Sequence, residues 1–249
     1  MIQSVARASA LLKALGGDPP LLGVTELAER VGLAKGTVHG LLRTLEGEGL
    51  VEQDAETGKY RLGMAVHALG TRVLENHPLR HRSMFWADAL ANRTRQSARA
   101  GVLHDGEVIV VHQVFRPDDT VQVLEVGAAI PWHACALGKA IVAHLPVGRR
   151  DELVGDASDR LTGSTLTGRD ALVPALDEVA EAGIAADDQE AIIGEAGLAA
   201  PVFDGAGRVA GGLGITGPAA RLTGRAAQEL RAAVRECARG LSRDLGTRR

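Results

Sequence analysis

Apolar residues recur at helical spacing through the first third of the chain. Val5, Ala8, Leu12 and Leu15 share one helical face, and Gly16, Gly17, Pro19 and Pro20 end it. Val24, Leu27, Ala28 and Val31 follow the i, i+3, i+4, i+7 template, and Val38, Leu41, Leu42 and Leu45 repeat it. Thr25 or a neighbour can cap the second helix, although no full capping box is present. Gly49-Leu50-Val51, a turn from Asp54 to Gly58, and Lys59-Tyr60-Arg61-Leu62 predict a small β-hairpin with Gly58 at its tip. Val66, Leu69 and Val73 then lie on one face of a helix over 64–76, a short apolar stripe that needs a partner. Pro78 ends that helix, and another is expected over 79–95.

From residue 98 the period changes to two. Residues 98–104, Asp105-Gly106 and residues 107–115 predict a hairpin, because Asp-Gly favours a type I′ turn. Arg116-Pro117-Asp118-Asp119 predicts a second turn, and 121–126 a third strand. Helices are expected near 136–145, 149–155 and 169–182, and strands at 184–188, 197–203 and 207–216. Leu230, Val234, Cys237, Leu241 and Leu245 mark a closing helix. The fold class is therefore α+β: an N-terminal winged helix-turn-helix over 1–63, a linker helix over 64–78, and an antiparallel-sheet domain over 79–249.

Composition narrows the function classes. The 249 residues suit one large or two small domains, and 45% hydrophobic residues allow a sizeable core and exclude disorder. Two cysteines, Cys135 and Cys237, rule out a disulfide scaffold and suit a reducing cytoplasm. No run approaches the ~18 apolar residues of a membrane span, and Arg7, Lys13 and Asp18 break any reading of residues 1–20 as a signal peptide. The expected location is cytoplasmic, away from membranes. Aromatic residues make up 2% of the chain, which argues against a single-strand platform of stacked rings. A net charge of −3 still leaves room for a local basic face.

Residues 24–46 carry that possibility. Two helical patterns flank Val31-Gly32-Leu33, where Gly32 gives the backbone freedom that a tight inter-helix turn needs. If the apolar stripe of the second helix faces inward, Lys35, Thr37, His39, Gly40 and Arg43 face outward or flank it. Cations and hydroxyls suit phosphates, Arg suits a guanine edge, and small residues such as Gly36 allow close approach. Thr25 and the wing cations Lys59 and Arg61 complete the candidate contacts with double-stranded DNA. Residues 1–63 nevertheless hold seven Lys/Arg against eight Asp/Glu. Glu46, Glu48, Glu52, Asp54 and Glu56 must point away from phosphate, or the segment is a three-helix packing module with a solvated face.

The segment VTELAERVGLAKGTVHGLLRTL (24–45) resembles the winged helix-turn-helix of the IclR family of bacterial transcription regulators. The resemblance continues in IPWHACALGKAIVAHL (130–145), GIAADDQEAIIGEAGLAAPVFD (183–204) and LGITGP (213–218), in the family's order. Within the family, LAKGTVHGLLRTLEGEGLVEQD, VIVVHQVFRPDD and CARGLSRDLG are similar to the glycerol-operon repressor branch. The family commonly has Ser where this chain has Gly36, which leaves Thr37 to supply the hydroxyl. The resemblance implies a GAF-like effector-binding and oligomerisation domain over 79–249, with Ala136, Leu137, Asp187, Glu195, Gly197, Gly214 and Thr216 at pocket positions. Glu195 and Gly197 depart from the more apolar or sulfur-bearing residues of some relatives.

The implied function is a homodimer or tetramer that represses a glycerol (polyol) catabolic operon. A small phosphorylated metabolite such as glycerol 3-phosphate relieves the repression. Alternatives are an aromatic or small carboxylic acid as effector, or activation in place of repression. A phosphate needs cations, and Arg99, His133 and Arg116 are the candidates; Leu137-Gly138-Lys139 also opens a helix whose N–H groups suit an anion. Arg99 could equally be an ordinary exposed strand residue. Three further readings are weaker. Gly212-Leu213-Gly214-Ile215-Thr216-Gly217 matches a dinucleotide fingerprint but lacks the helix, second strand and acid that a real one needs. His104, His112, His133 and Cys135 lack zinc spacing, so no metal or other cofactor is expected. His133, Cys135 and Asp187 could form a nucleophile, base and orienter, but no catalytic motif surrounds them and an enzyme is not expected.

Overall fold

Leucines at helical spacing build the first of two units. In the computed structural model, which describes residues 2–116, 118, 122–157 and 159–246, the chain divides into Met1–Asn76 and His77–Arg249. The first unit runs α1 (Gln3–Leu15), α2 (Val24–Val31), α3 (Lys35–Gly47), β1 (Val51–Gln53), β2 (Tyr60–Leu62) and α4 (Met64–Glu75). Its core gathers Leu11, Leu15, Leu22, Leu27, Val38, Leu42, Leu45, Val51 and Tyr60. The face of α1 is rotated from the expected one: Leu11 is buried and Val5 is 60% exposed.

Gly32 ends α2 in the left-handed region at φ 66°, the turn that sets α2 against α3. Thr25 does not cap α2. Gly23 occupies the N-cap, and its N–H donates to Glu26 Oε2 at 2.6 Å. In the wing, Asp54 Oδ1 accepts from the Thr57 N–H at 2.8 Å, and Gly58 has φ 67°. Helix α4 buries none of its residues within this unit, and Met64, Leu69 and Val73 are all exposed.

The second unit runs α5 (Pro78–Thr94), β3 (Ser97–His104), β4 (Glu107–Val114), β5 (Ala129–Pro131), a 3₁₀ turn (Trp132–Ala134) and α6 (Ala136–Val142). It continues through α7 (Val147–Asp156), α8 (Arg169–Ala182), β6 (Ala185–Asp188), β7 (Glu195–Phe203), β8 (Val209–Pro218), α9 (Ala219–Leu222) and α10 (Gly224–Gly246). The strands form one antiparallel sheet in the order β5-β4-β3-β8-β7-β6. Successive residues of a strand face opposite sides. A Cβ on Gly211 would meet Leu79 of α5, and one on Gly212 would meet Leu137 and Ile141 of α6, so α5 and α6 cover opposite faces.

Asp105 and Gly106 have φ 48° and 81°, the positive pair that a type I′ hairpin needs. The expected third strand does not form over 122–126; Val121, like Pro117 and Asp119 of the expected turn, lies outside the described residues. The Gln113 side chain holds this stretch instead, accepting from the Glu125 N–H and donating to the Val123 carbonyl. Backbone bonds to β4 resume at Gly127 and Ala128, which both bond Val110, and a regular ladder resumes at β5, where Pro131 faces Glu107. The glycine-rich 212–217 segment lies inside β8, so it is a strand and not a nucleotide-binding turn.

Candidate functional site

The outer surface of α3 carries Lys35, Gly36, Thr37, His39, Gly40 and Arg43, all exposed, while Val38 and Leu42 anchor the helix from beneath. Lys35, His39 and Arg43 recur every four residues and so share one side of the helix. Cβ atoms on Gly36 or Gly40 would meet nothing within 4 Å, so the surface between the cations is open. Among the described residues, neither Lys35 nor Arg43 is ion-paired.

The wing departs from expectation. Lys59 Nζ lies 3.2 Å from Glu26 Oε2, and Arg61 Nε lies 3.2 Å from Glu52 Oε2, a cross-strand pair in register. Lys59 and Arg61, both expected to meet phosphate, are therefore each held by a carboxylate, and one of these is Glu52, which was expected to point away from phosphate. The Gly23 N–H, followed by Lys59, holds the Glu26 carboxyl below its usual range. Thr25 is exposed in the first turn of α2, and Glu46, Glu48 and Glu56 are exposed as well.

In the second unit, strand register assembles a cavity. Arg99 on β3 faces Gly214 on β8, Thr216 on β8 faces Gly197 on β7, and Gly197 faces Asp187 on β6. These residues, with Cys135, Ala136 and Leu137 at the start of α6, line an inner space of about 30 Å³, room for about one water. An adjoining cavity of about 220 Å³ shares Arg99, Cys135, Asp187 and Thr216 and adds Glu125, Leu161, Ile192 and Glu195.

Asp187 sits on the floor, where its Oδ2 accepts from the Ala136 N–H at 3.0 Å. A Cβ on Gly197 would come within 2.5 Å of that oxygen, so the glycine leaves space for the carboxylate. Burial outweighs the hydrogen bond and pushes the Asp187 carboxyl up to about 6. Burial also pushes the Cys135 thiol up to about 12, which keeps it protonated and removes the thiolate that a nucleophilic reading needs. Arg99 pairs with Glu125, yet among the described residues its buried Nε has no hydrogen-bond partner.

Of the expected pocket residues, Arg99, Ala136, Leu137, Asp187, Gly197, Gly214 and Thr216 come together, with Glu195 in the adjoining cavity. His133 does not join them. It is buried, its Nε2 lies 2.8 Å from the Asp159 carbonyl, and it lines a separate cleft with Asp105 and Leu153. Arg116 lines neither space and pairs with Asp118. Lys139 is also turned away, bonding both Glu190 oxygens at 2.6 and 2.8 Å. The start of α6 is thus filled by Asp187 rather than left open for an external anion. Sequence reasoning missed Glu125, which lies in a stretch without periodicity that only the fold brings beside Arg99. Among the described residues, no group of three or more His, Cys, Asp or Glu is placed to hold a metal, and no helix is long and apolar enough to cross a membrane.

Residues 4–55 match the IclR helix-turn-helix domain, and residues 71–243 match the family described as bacterial transcriptional regulator IclR C-terminal. Among curated relatives, the glycerol operon regulatory protein of Streptomyces griseus is 48% identical, covering 100% of this chain and 98% of its own. The protein of the same description from Streptomyces coelicolor is 46% identical at the same coverage. Among solved structures, an IclR transcriptional regulator from Alicyclobacillus acidocaldarius superposes with a TM-score of 0.82 at 27% identity, covering 98% of each chain.

Proposed function

The chain belongs to the IclR family of bacterial transcriptional regulators, and from that premise we propose that it represses a polyol catabolic operon and is released by a small phosphorylated metabolite such as glycerol 3-phosphate. The family is one of DNA-binding regulators rather than enzymes, and the chain is homologous to glycerol operon regulators over its full length. In this reading Lys35, Thr37, His39 and Arg43 on α3 meet operator DNA, with Gly36 allowing close approach and Thr25, Lys59 and Arg61 at the margins. Two copies, or two pairs, meet a roughly palindromic site, and the uncovered apolar face of α4 suits pairing between copies.

The observation that carries the effector assignment is Arg99, a mostly buried guanidinium on the cavity wall with an uncommitted Nε. Asp187, Glu195 and Thr216 then accept from or donate to hydroxyls, with Ala136, Leu137, Gly197 and Gly214 shaping the floor. A ligand switches the protein only by binding one conformer better than the other. The three carboxylates around the cavity favour a second reading, in which the effector is an uncharged polyol such as glycerol. A gel shift with DNA from upstream of this protein's own gene and of the genes beside it separates the two. Release by glycerol 3-phosphate and not by glycerol supports the first, and the reverse supports the second. Release by neither sinks both.

A further inference from the structure

Arg99 already has a counter-ion. Glu125 lies on the 122–128 strap between β4 and β5, and its carboxylate pairs with the Arg99 guanidinium inside the cavity. The two side chains are 13% and 21% exposed, so water screens the pair little. Hydrogen bonds rather than apolar packing hold the strap: Gln122 accepts from the Arg116 N–H at 2.7 Å and donates to the Arg116 carbonyl at 2.9 Å, and the Val110 N–H donates to the Ala128 carbonyl at 3.1 Å. Gln113 accepts from the Glu125 N–H at 2.7 Å and donates to the Val123 carbonyl at 3.2 Å, and the Gly127 N–H donates to the Val110 carbonyl at 2.8 Å. Val123 and Leu124 are 75% and 65% exposed, so the strap has no apolar anchor at those positions. Burial raises the Glu125 carboxyl above its ordinary range despite Arg99, and Glu195 adds to the rise.

Resting on the reading of Arg99 as the effector's anion seat, we propose that Glu125 is the tethered resident of that seat, so that effector binding is an exchange of counter-ions at Arg99. The charge balance of the cavity supports the exchange. Arg99 is the only cation on the described lining of the larger cavity, against Glu125, Asp187 and Glu195. A phosphate entering while Glu125 stays would meet three carboxylates and one guanidinium already committed. Once Glu125 leaves, the guanidinium regains its free face and its unpartnered Nε. A carboxylate fixed to the chain competes at high effective concentration, so weak anions lose to it and a phosphate dianion can win. An uncharged polyol has no charge with which to displace it. Specificity for a phosphorylated ligand then comes from what the ligand must evict, and the released strap is the first element to change.

The test is calorimetric titration of the full chain with glycerol 3-phosphate, inorganic phosphate and glycerol. Glu125→Gln keeps the shape and removes the charge, and Gln113→Ala loosens the tether without touching either charge. Glu125→Gln is expected to bind glycerol 3-phosphate and phosphate about tenfold tighter than wild type, with glycerol unchanged. Gln113→Ala is expected to move in the same direction by a smaller factor. Arg99→Ala, measured in parallel, is expected to lose binding of both anions. If Arg99→Ala loses binding but Glu125→Gln is no tighter than wild type, the exchange is overturned and the anion seat stands. If Arg99→Ala and Glu125→Gln both bind glycerol 3-phosphate as wild type does, the anion seat falls and the exchange falls with it.

Discussion

Asp187 accepts the Ala136 N–H at 3.0 Å, which sets one of the protein's own carboxylates at the start of α6. That position costs stability when the group is charged. Burial raises its carboxyl from an ordinary 3.8 to about 6, so the folded chain holds a proton over a range where the unfolded chain has released it. The stabilisation is complete below about pH 4 and is lost as pH rises through about 6. Asp187→Asn should flatten this dependence. At pH 8 the variant should exceed wild type by about 3 kcal/mol, and the two should converge near pH 4. Urea denaturation across that range checks it; a wild type as stable as the variant at pH 8 rejects a strained carboxylate.

Lys139 and Glu190 make the opposite case, a buried charge pair that neutralises itself. Both residues are buried, and the hydroxyl of Thr165 donates to the Glu190 carbonyl at 2.7 Å beside them. Removing one partner strands the other away from water. Lys139→Met is expected to cost about 3–5 kcal/mol. Lys139→Met combined with Glu190→Leu is expected to recover most of that loss, because neither charge then remains. Thermal unfolding of the single and double variants tests the pair. A double variant no better than the single one would assign the loss to packing.

Much of this fold was legible along the chain, and the failures have physical causes. The Asp105-Gly106 hairpin, the α3 stripe and the strands around Gly197 and Gly214 follow from local signals that tertiary packing does not override. Val5 was misplaced because Leu11 and Leu12 both satisfy a helical period, and only the packing of α1 decides between the faces. The third strand failed because a side-chain amide, Gln113, replaced a backbone ladder. Within the cavity, pocket motifs gave residues on sheet and helix. Glu125 has no motif, and His133 sits in one but turns to Asp159. The Glu26–Lys59 bridge was illegible because the two residues are 33 positions apart, whereas the Glu52–Arg61 pair lies across the predicted hairpin, 9 positions apart, and its register was open to reading.

Gly197 has a role that a single methyl group can test. A Cβ there would lie 2.5 Å from Asp187 Oδ2 and 3.5 Å from the Ala136 Cβ. Gly197→Ala should push the carboxylate off the Ala136 N–H, costing about 1–3 kcal/mol and weakening the response to effector. Gly197→Ala with Asp187→Ala removes the oxygen that the methyl strikes, so stability should return toward that of Asp187→Ala alone. DNA affinity without effector should stay at the wild-type value throughout, since the changes lie in the second unit. Denaturation and gel-shift titrations report the two effects separately; additive losses in the double variant would place the strain elsewhere.

The two cation sets of the first unit should differ in what they contribute to DNA binding. Lys35 and Arg43 stand exposed and, among the described residues, unpaired, whereas Arg61 is engaged by Glu52 at 3.2 Å. Each phosphate that a cation neutralises releases counter-ions, so the slope of affinity against salt counts the cations in use. Lys35→Ala should lower the slope by about 1 and weaken binding to any duplex. Arg43→Ala should do the same if Arg43 meets phosphate, or weaken only the preferred sequence if it reads a base edge. Arg61→Ala should change little, because Glu52 already holds that charge. Glu52→Gln should steepen the slope toward one added contact, because it frees Arg61 to reach phosphate. Fluorescence anisotropy with operator and unrelated duplexes over a salt series measures all four variants. Unchanged slopes for both Lys35→Ala and Arg43→Ala would remove α3 from the interface. A large loss in Arg61→Ala would mean that DNA breaks the Glu52 pair on binding.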